Sequence, residues 1–267
     1  MLREVVRLVL PLECAGCGRP DVVLCGPCSE LLCGAPRRVD ADAPRLDVAG
    51  RDDRLPVWAL ADYRGPVREA VVAWKDRGRA DLDPVLVAGL RSAARTVAPS
   101  VQRAVGPTTH VLVVPVPSSP LASLRRGRAP VGVLASAVVD GFRGVGLRAS
   151  LCPALVGRAS ARDQVGLGQR ARQRNVSGRV ALRRSAPART ARGAGAVLGS
   201  ARGRSGRAGV PGCAIVLVDD VLTTGATLAT AAAALGQVRI PTLAALVLAA
   251  TPAPRGTLVL PPGPGAG

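Results

Sequence analysis

Two apolar rhythms alternate along the chain. In "PVREAVVAWK" (66–75), Val67, Ala70, Val71 and Trp74 recur at helical spacing and leave the charges on the opposite side. In "HVLVVPVP" (110–117) and "CAIVLV" (213–218) apolar residues run almost unbroken for a strand's length, the mark of strands covered on both faces. "VWALADY" (57–63) predicts a short strand and "TLAALVLA" (242–249) a last one. Further helices are predicted over "LDPVLVAGLRSAARTVA", opened by Asp83 and Pro84, over "GVLASAVVDGF", and over "GATLATAAAALG". Strands alternating with helices imply an α/β fold, a parallel sheet flanked by helices on both faces.

Other stretches lack either rhythm. Residues 36–56 carry charge and proline without periodicity and are expected to be a linker between a small module over 1–35 and a main domain over 57–260. Residues 183–209 hold seven arginines and no acid, and few large apolar side chains, the composition of a mobile insert. The tail "PPGPGAG" (261–267) is expected to be disordered. The start, "MLREVVRLVLPLEC", is interrupted by Arg3, Glu4 and Arg7 and is too short and too charged to span a membrane. The expectation is a cytoplasmic protein without membrane insertion.

Composition narrows the core. Hydrophobic residues make up 48% of the 267, yet Trp58, Tyr63, Trp74 and Phe142 are all the aromatics, so Val, Leu and Ala must fill the interior. The net charge of +18 rests on arginine, because Lys75 is the single lysine. Such a charge invites a polyanion such as nucleic acid, and a genome-wide bias toward Ala, Arg and Gly would produce it equally well. Lys75 itself reads either as a specific point charge, where arginine would have served an ordinary surface, or as a chance survivor.

Five of the seven cysteines lie within 14–33. Cys14 and Cys17 form one CxxC and Cys25 and Cys28 a second, each able to grip one ion from a tight turn. Four thiolates suit tetrahedral zinc, and an iron–sulfur cluster uses the same donors. So short a segment cannot bury enough surface to fold alone, and metal binding worth on the order of 10 kcal/mol would decide its folding. Cys33, Cys152 and Cys213 stand outside the pairs.

The stretch "AIVLVDDVLTTGATLATAAAAL" (214–235) carries the chemistry. Two adjacent carboxylates, Asp219 and Asp220, are expected at the carboxyl end of a buried strand, where ligands bind in parallel sheets. The turn that follows, Thr223, Thr224, Gly225, Ala226 and Thr227, converges backbone N–H groups and hydroxyls at a helix N-terminus, a cradle for one phosphate. The acids could accept hydrogen bonds from a vicinal diol, directly or through a divalent cation. Phosphate and diol together describe a ribose 5-phosphate. A Walker loop is excluded, since no lysine precedes the helix. The plainer alternative is a strand–turn–helix in which Thr acts as a cap.

"VLVDDVLTTGATL" resembles the phosphoribosyl pyrophosphate signature of type I phosphoribosyltransferases. With the paired cysteines in front, and with "YRGPVREAVVAWKDRG" (63–78), "VVPVPSSPLASLRRGRAP" (113–130) and "DQVGLGQRARQRN" (163–175), the whole is similar to the ComF/GntX-type family. The resemblance implies a phosphoribosyltransferase-like sheet with a structural zinc module. It makes Asp219 and Asp220 the ribose-binding acids of a catalytic site and 223–227 the 5-phosphate loop. It places a pyrophosphate loop at Pro117, Ser118 and Ser119, a mobile hood at Gln164, Arg172 and Asn175, and Lys75 where the family has lysine. The family's Arg-Gly-Phe-Asn-Gln stands here as Arg126, Gly127, Arg128, Ala129 and Pro130, three of them changed. His110 replaces an acid often seen before the strand and reads as structural.

The resemblance implies phosphoribosyl pyrophosphate as ligand, magnesium accompanying it, and transfer to an acceptor base that the sequence does not name. It also implies association with DNA uptake in competence. A second reading is therefore a non-catalytic module associated with single-stranded DNA or DNA-uptake proteins.

Overall fold

The computed structural model describes residues 12–47, 54–105, 108–117, 128–157, 180–183 and 212–253. A five-residue helix α1 (Gly26–Glu30) leads to a two-residue strand β1 (Arg37–Arg38) and then to β2 (Val57–Asp62). Two helices follow, α2 (Gly65–Asp76) and α3 (Asp83–Val105), and then β3 (His110–Pro115), α4 (Pro130–Arg143) and β4 (Ala149–Leu151). The chain continues through β5 (Leu155–Gly157), β6 (Val180–Leu182), β7 (Cys213–Leu222), α5 (Ala226–Gly236) and β8 (Thr242–Ala250).

Six strands form one sheet in the order β1-β2-β8-β7-β3-β4, parallel throughout except at β1, which pairs antiparallel with β2. The α/β class with a mostly parallel sheet is as the patterns required. Unbroken apolar strands split their side chains by the two-residue pleat. Val111, Val113, Val216 and Val218 face α2, α3 and α4, where Trp74, Leu90, Leu134 and Phe142 fill the first core. Leu112, Val114, Ile215 and Leu217 face the second core, beneath Leu228, Ala231 and Leu235 of α5. Small side chains let the helices come close: a Cβ on Gly141 would lie 2.5 Å from the Arg91 carbonyl oxygen of α3.

The segment expected as a linker is packed into the second core. Val39, Ala43, Leu46 and Leu55 are buried with Val57 and Ala59, and Val39 N–H donates to the Val57 carbonyl at 2.9 Å. Their spacing fits neither a helix nor a strand, because the segment meets the sheet through a 3₁₀ turn (Asp40–Asp42) and irregular backbone. The front module is likewise seated on the main body. Leu32 belongs to the first core beside Leu60, Leu86 and Leu90. A Cβ on Gly89 of α3 would stand 2.3 Å from the Leu32 carbonyl oxygen, so only glycine allows this contact. Arg79, just past α2, donates to the carbonyls of Glu13 at 3.1 Å and Val23 at 3.3 Å while held by Asp81.

β5 and β6 form a separate antiparallel ribbon at the two ends of 158–179, and Val180 and Leu182 lean on the second core. Ser118, Ser119, Gln164, Arg172, Asn175, residues 184–209 and the tail lie outside the described residues.

Candidate functional site

The sheet's connections reverse direction between β3 and β7. From β3 the chain passes through α4 to β4 on one side; from β7 it passes through α5 to β8 on the other. Such a reversal leaves an opening at the carboxyl ends of the two strands, the usual seat of ligands in open parallel sheets. β3 stops pairing at Pro115 opposite Val218, with a last bond from Val116 N–H to the Val218 carbonyl at 2.8 Å. β7 runs on to Leu222, paired with β8 alone through Asp219–Val247, Val221–Ala249 and Leu222–Ala250.

Asp219 and Asp220 therefore lie within β7, not at its end as the sequence suggested, but beyond the point where β3 stops. They are 9% and 3% exposed. Asp220 follows Val216 and Val218 toward α2, and beyond the acids the pleat changes phase, since Val221 packs on the first core and Leu222 on the second. Asp219 Oδ1 accepts the backbone N–H of Asp220 at 2.9 Å. Burial first, and the neighbouring Asp220 charge second, raise the Asp219 pKa far above the ordinary carboxylate range.

Lys75 Nζ sits 2.5 Å from Asp220 Oδ2. The contact is a charge pair rather than an aligned hydrogen bond, since Asp220 Oδ2 is buried without hydrogen-bond geometry to any group. Lys75 lies in the last turn of α2, where the helix dipole also favours a cation. Burial works against its charge, but Asp220, and then Asp219 and Asp76, outweigh burial and hold its pKa above the usual value. The chain's only lysine thus reaches one of the paired acids.

The loop after β7 turns sharply into α5. Gly225 takes φ +85°, a left-handed conformation that glycine adopts freely, and α5 begins at the next residue. Thr223, Thr224 and Thr227 are exposed. Thr224 Oγ1 makes only a long 3.5 Å contact with Ala226 N–H, and no side chain caps α5, so the helix's first N–H groups are open to an anion. A partner that the sequence did not announce lies behind the loop. Arg45 N–H donates to the Thr224 carbonyl at 2.8 Å, and a Cβ on Gly225 would meet Leu46 at 2.9 Å. The segment expected as a linker thus backs the loop after β7.

Beside Lys75, Trp74 Nε1–H donates to Asp83 Oδ1 at 2.5 Å, and Arg128 Nη2 donates to the same oxygen at 2.6 Å. The Arg128 guanidinium lies 5.5 Å from the Trp74 ring centroid. Arg128, one of the three residues that depart from the resembled motif, thereby ties the return from the loop after β3 to α2 and α3. Pro117 begins that loop and is half-buried. His110 is at the other end of β3, its Nε2 2.8 Å from Ser150 Oγ, away from the crevice. A cleft of about 470 Å³ opens past β2 between Leu31, Arg37, Asp62 and Pro66. Asp62 is held there by Arg37 and by Arg64 at 2.9 Å.

The four paired cysteines meet as the spacing required. The sulfurs of Cys14, Cys17, Cys25 and Cys28 lie within 4.8 Å of one another, and those of Cys17 and Cys25 are 3.6 Å apart. A tetrahedral ion with bonds of about 2.3 Å sets its sulfurs about 3.8 Å apart, so the donors fit a structural metal. Burial opposes ionisation of Cys14, but backbone N–H groups of Cys25, Cys17 and Gly16 outweigh it and bring the thiol to about 6. Cys28 moves upward through burial and the neighbouring thiols. A Cβ on Gly16 would lie 2.9 Å from Cys28 Sγ and 3.1 Å from the Pro66 carbonyl oxygen, so the knuckle abuts the start of α2.

Among the described residues no helix is long and apolar enough to cross a membrane. The chain matches no protein-family model and no curated protein.

Proposed function

We propose that the chain binds phosphoribosyl pyrophosphate or a related ribose 5-phosphate in the β3–β7 crevice, as a ComF/GntX-type phosphoribosyltransferase-like protein with a structural zinc. One observation carries this reading: an exposed Thr loop with a left-handed Gly225 opens an uncapped helix directly after two buried carboxylates at the sheet's switch point. The 5-phosphate meets the N–H groups and hydroxyls of 223–227. The ribose hydroxyls meet Asp219 and Asp220, and the pyrophosphate faces the loop entered at Pro117. Transfer breaks the C1–oxygen bond to pyrophosphate as the acceptor bonds to C1. Magnesium, arriving on the substrate, supplies charge neutralisation for the leaving group. Zinc is the ion assigned to the four thiolates, a closed donor set with no open position.

Isothermal titration of the metal-loaded protein with phosphoribosyl pyrophosphate and magnesium tests the reading. Saturable binding is expected, competed by ribose 5-phosphate; no binding of either at millimolar concentration overturns it. The net charge of +18 favours a second reading, a nucleic-acid-associated module without turnover. Under it, single-stranded DNA binds with a steep salt dependence, and deleting 183–209 lowers both the affinity and the slope. A deletion that leaves both unchanged removes this reading.

A further inference from the structure

The acids, the lysine and the strand that carries them decide how the sugar is met. A vicinal diol can be held by carboxylates directly or through a bridging divalent cation, and the two modes need different surroundings. A bridging cation needs carboxylates that converge on one point and carry uncompensated charge. Asp219 and Asp220 are not equally free to converge on an ion, since Asp219 Oδ1 already accepts the Asp220 N–H at 2.9 Å. Asp220 already has the Lys75 ammonium at 2.5 Å. Lys75 has no freedom to be elsewhere on α2: its neighbour Trp74 is locked into the first core and bonded to Asp83, and Pro66 at the other end of the helix rests against the cysteine knuckle.

We infer that Lys75 is the resident counter-cation of the acid pair, so that the acids receive the sugar's hydroxyls directly and admit no divalent cation of their own. This rests on the ribose 5-phosphate reading for the identity of the ligand, but the exclusion of the cation does not depend on it. The raised pKa of Asp219 points the same way, since burial and the Asp220 charge disfavour the second negative charge that a dication would need. Lys75 acts through Asp220 and is a positioning residue.

Manganese is the probe, followed by its electron paramagnetic resonance in the full-length, zinc-loaded chain. The parent is expected to show no manganese site that the Asp220→Asn change removes. Lys75→Gln should create one, tighter than anything in the parent by about tenfold or more, the order expected when one adjacent cation is lost. Adding Asp220→Asn to it should abolish that site, and Lys75→Arg, which keeps the charge, should not gain it. A merely structural lysine would give no such gain and no such rescue. In parallel, ribose 5-phosphate should bind the parent equally well with and without magnesium. A parent manganese site lost in Asp220→Asn overturns the inference, whether or not the Lys75 variants fold. So does ribose 5-phosphate binding that requires magnesium, which would leave the functional reading intact. Failure of ribose 5-phosphate to bind at all removes that reading, while the manganese arms still decide the role of Lys75.

Discussion

Asp219 and Asp220 are neighbours with unequal circumstances, and their substitutions should separate accordingly. Replacing both with Asn keeps their size and removes the anionic acceptors. Charge-assisted hydrogen bonds are worth roughly 1.5–3 kcal/mol each, so titration should show ribose 5-phosphate affinity falling by about tenfold to a hundredfold or more. Asp219 alone has a signature in pH. Its native pKa lies above the value in the unfolded chain, because burial and the Asp220 charge disfavour ionisation and the nearby Lys75 only partly offsets them. The native state therefore holds the proton longer, and the stability that this contributes is complete below the unfolded value near 3.8 and is lost as pH rises to about 8. Thermal melts of the parent should fall in midpoint across that window relative to Asp219→Asn, whose profile should be flatter. Equal profiles would show that the carboxyl is not held protonated.

At the scale of elements, α2 is the connecting piece: it carries Lys75 to Asp220, Trp74 to Asp83 and Pro66 to the knuckle. Asp83→Ala leaves both Trp74 Nε1–H and Arg128 without their shared acceptor, and urea unfolding should show a loss of about 1–3 kcal/mol. Gly225→Ala meets two obstacles, a left-handed backbone and Leu46 at 2.9 Å. It should cost at least about 1 kcal/mol and weaken phosphate binding, measurable by titration with inorganic phosphate. The periodic elements were legible beforehand because α2, α3, α4 and the long strands each bury a regular face. The segment holding Val39, Ala43, Leu46 and Leu55 was not, since irregular backbone buries side chains at no fixed interval. The depth of the acids escapes the sequence for a related reason. Two charges look like the end of an apolar strand, and only the pairing of Val221 and Leu222 with β8 shows that β7 continues. The cysteine spacing and the Thr loop were readable because each needs only local backbone. The Lys75–Asp220 contact, between residues far apart in sequence, was not.

Taken whole, the molecule does not divide at the expected linker. Leu32 shares the first core, and Arg79 and Gly89 seal the module to α2 and α3. Purified protein should carry about one zinc per chain, the load of one four-cysteine site, by elemental analysis. Cys25→Ser should release it and lower global stability by at least about 2 kcal/mol, the cost of losing one well-buried leucine, in a single unfolding transition followed by Trp fluorescence. A separate early transition with the main one unmoved would show an independent module. The strand order has a further consequence for synthesis. β8, the last of the described strands, lies between β2 and β7, and Val57 pairs with Ala245, 188 residues further on. Until β8 leaves the ribosome, β2 has only the two residues of β1 beside it, and β7 lacks a neighbour on that side. A product interrupted between Leu222 and Thr242 exposes two bare strand edges, the form most apt to pair with other chains. β8 thus closes the sheet in the manner of a keystone.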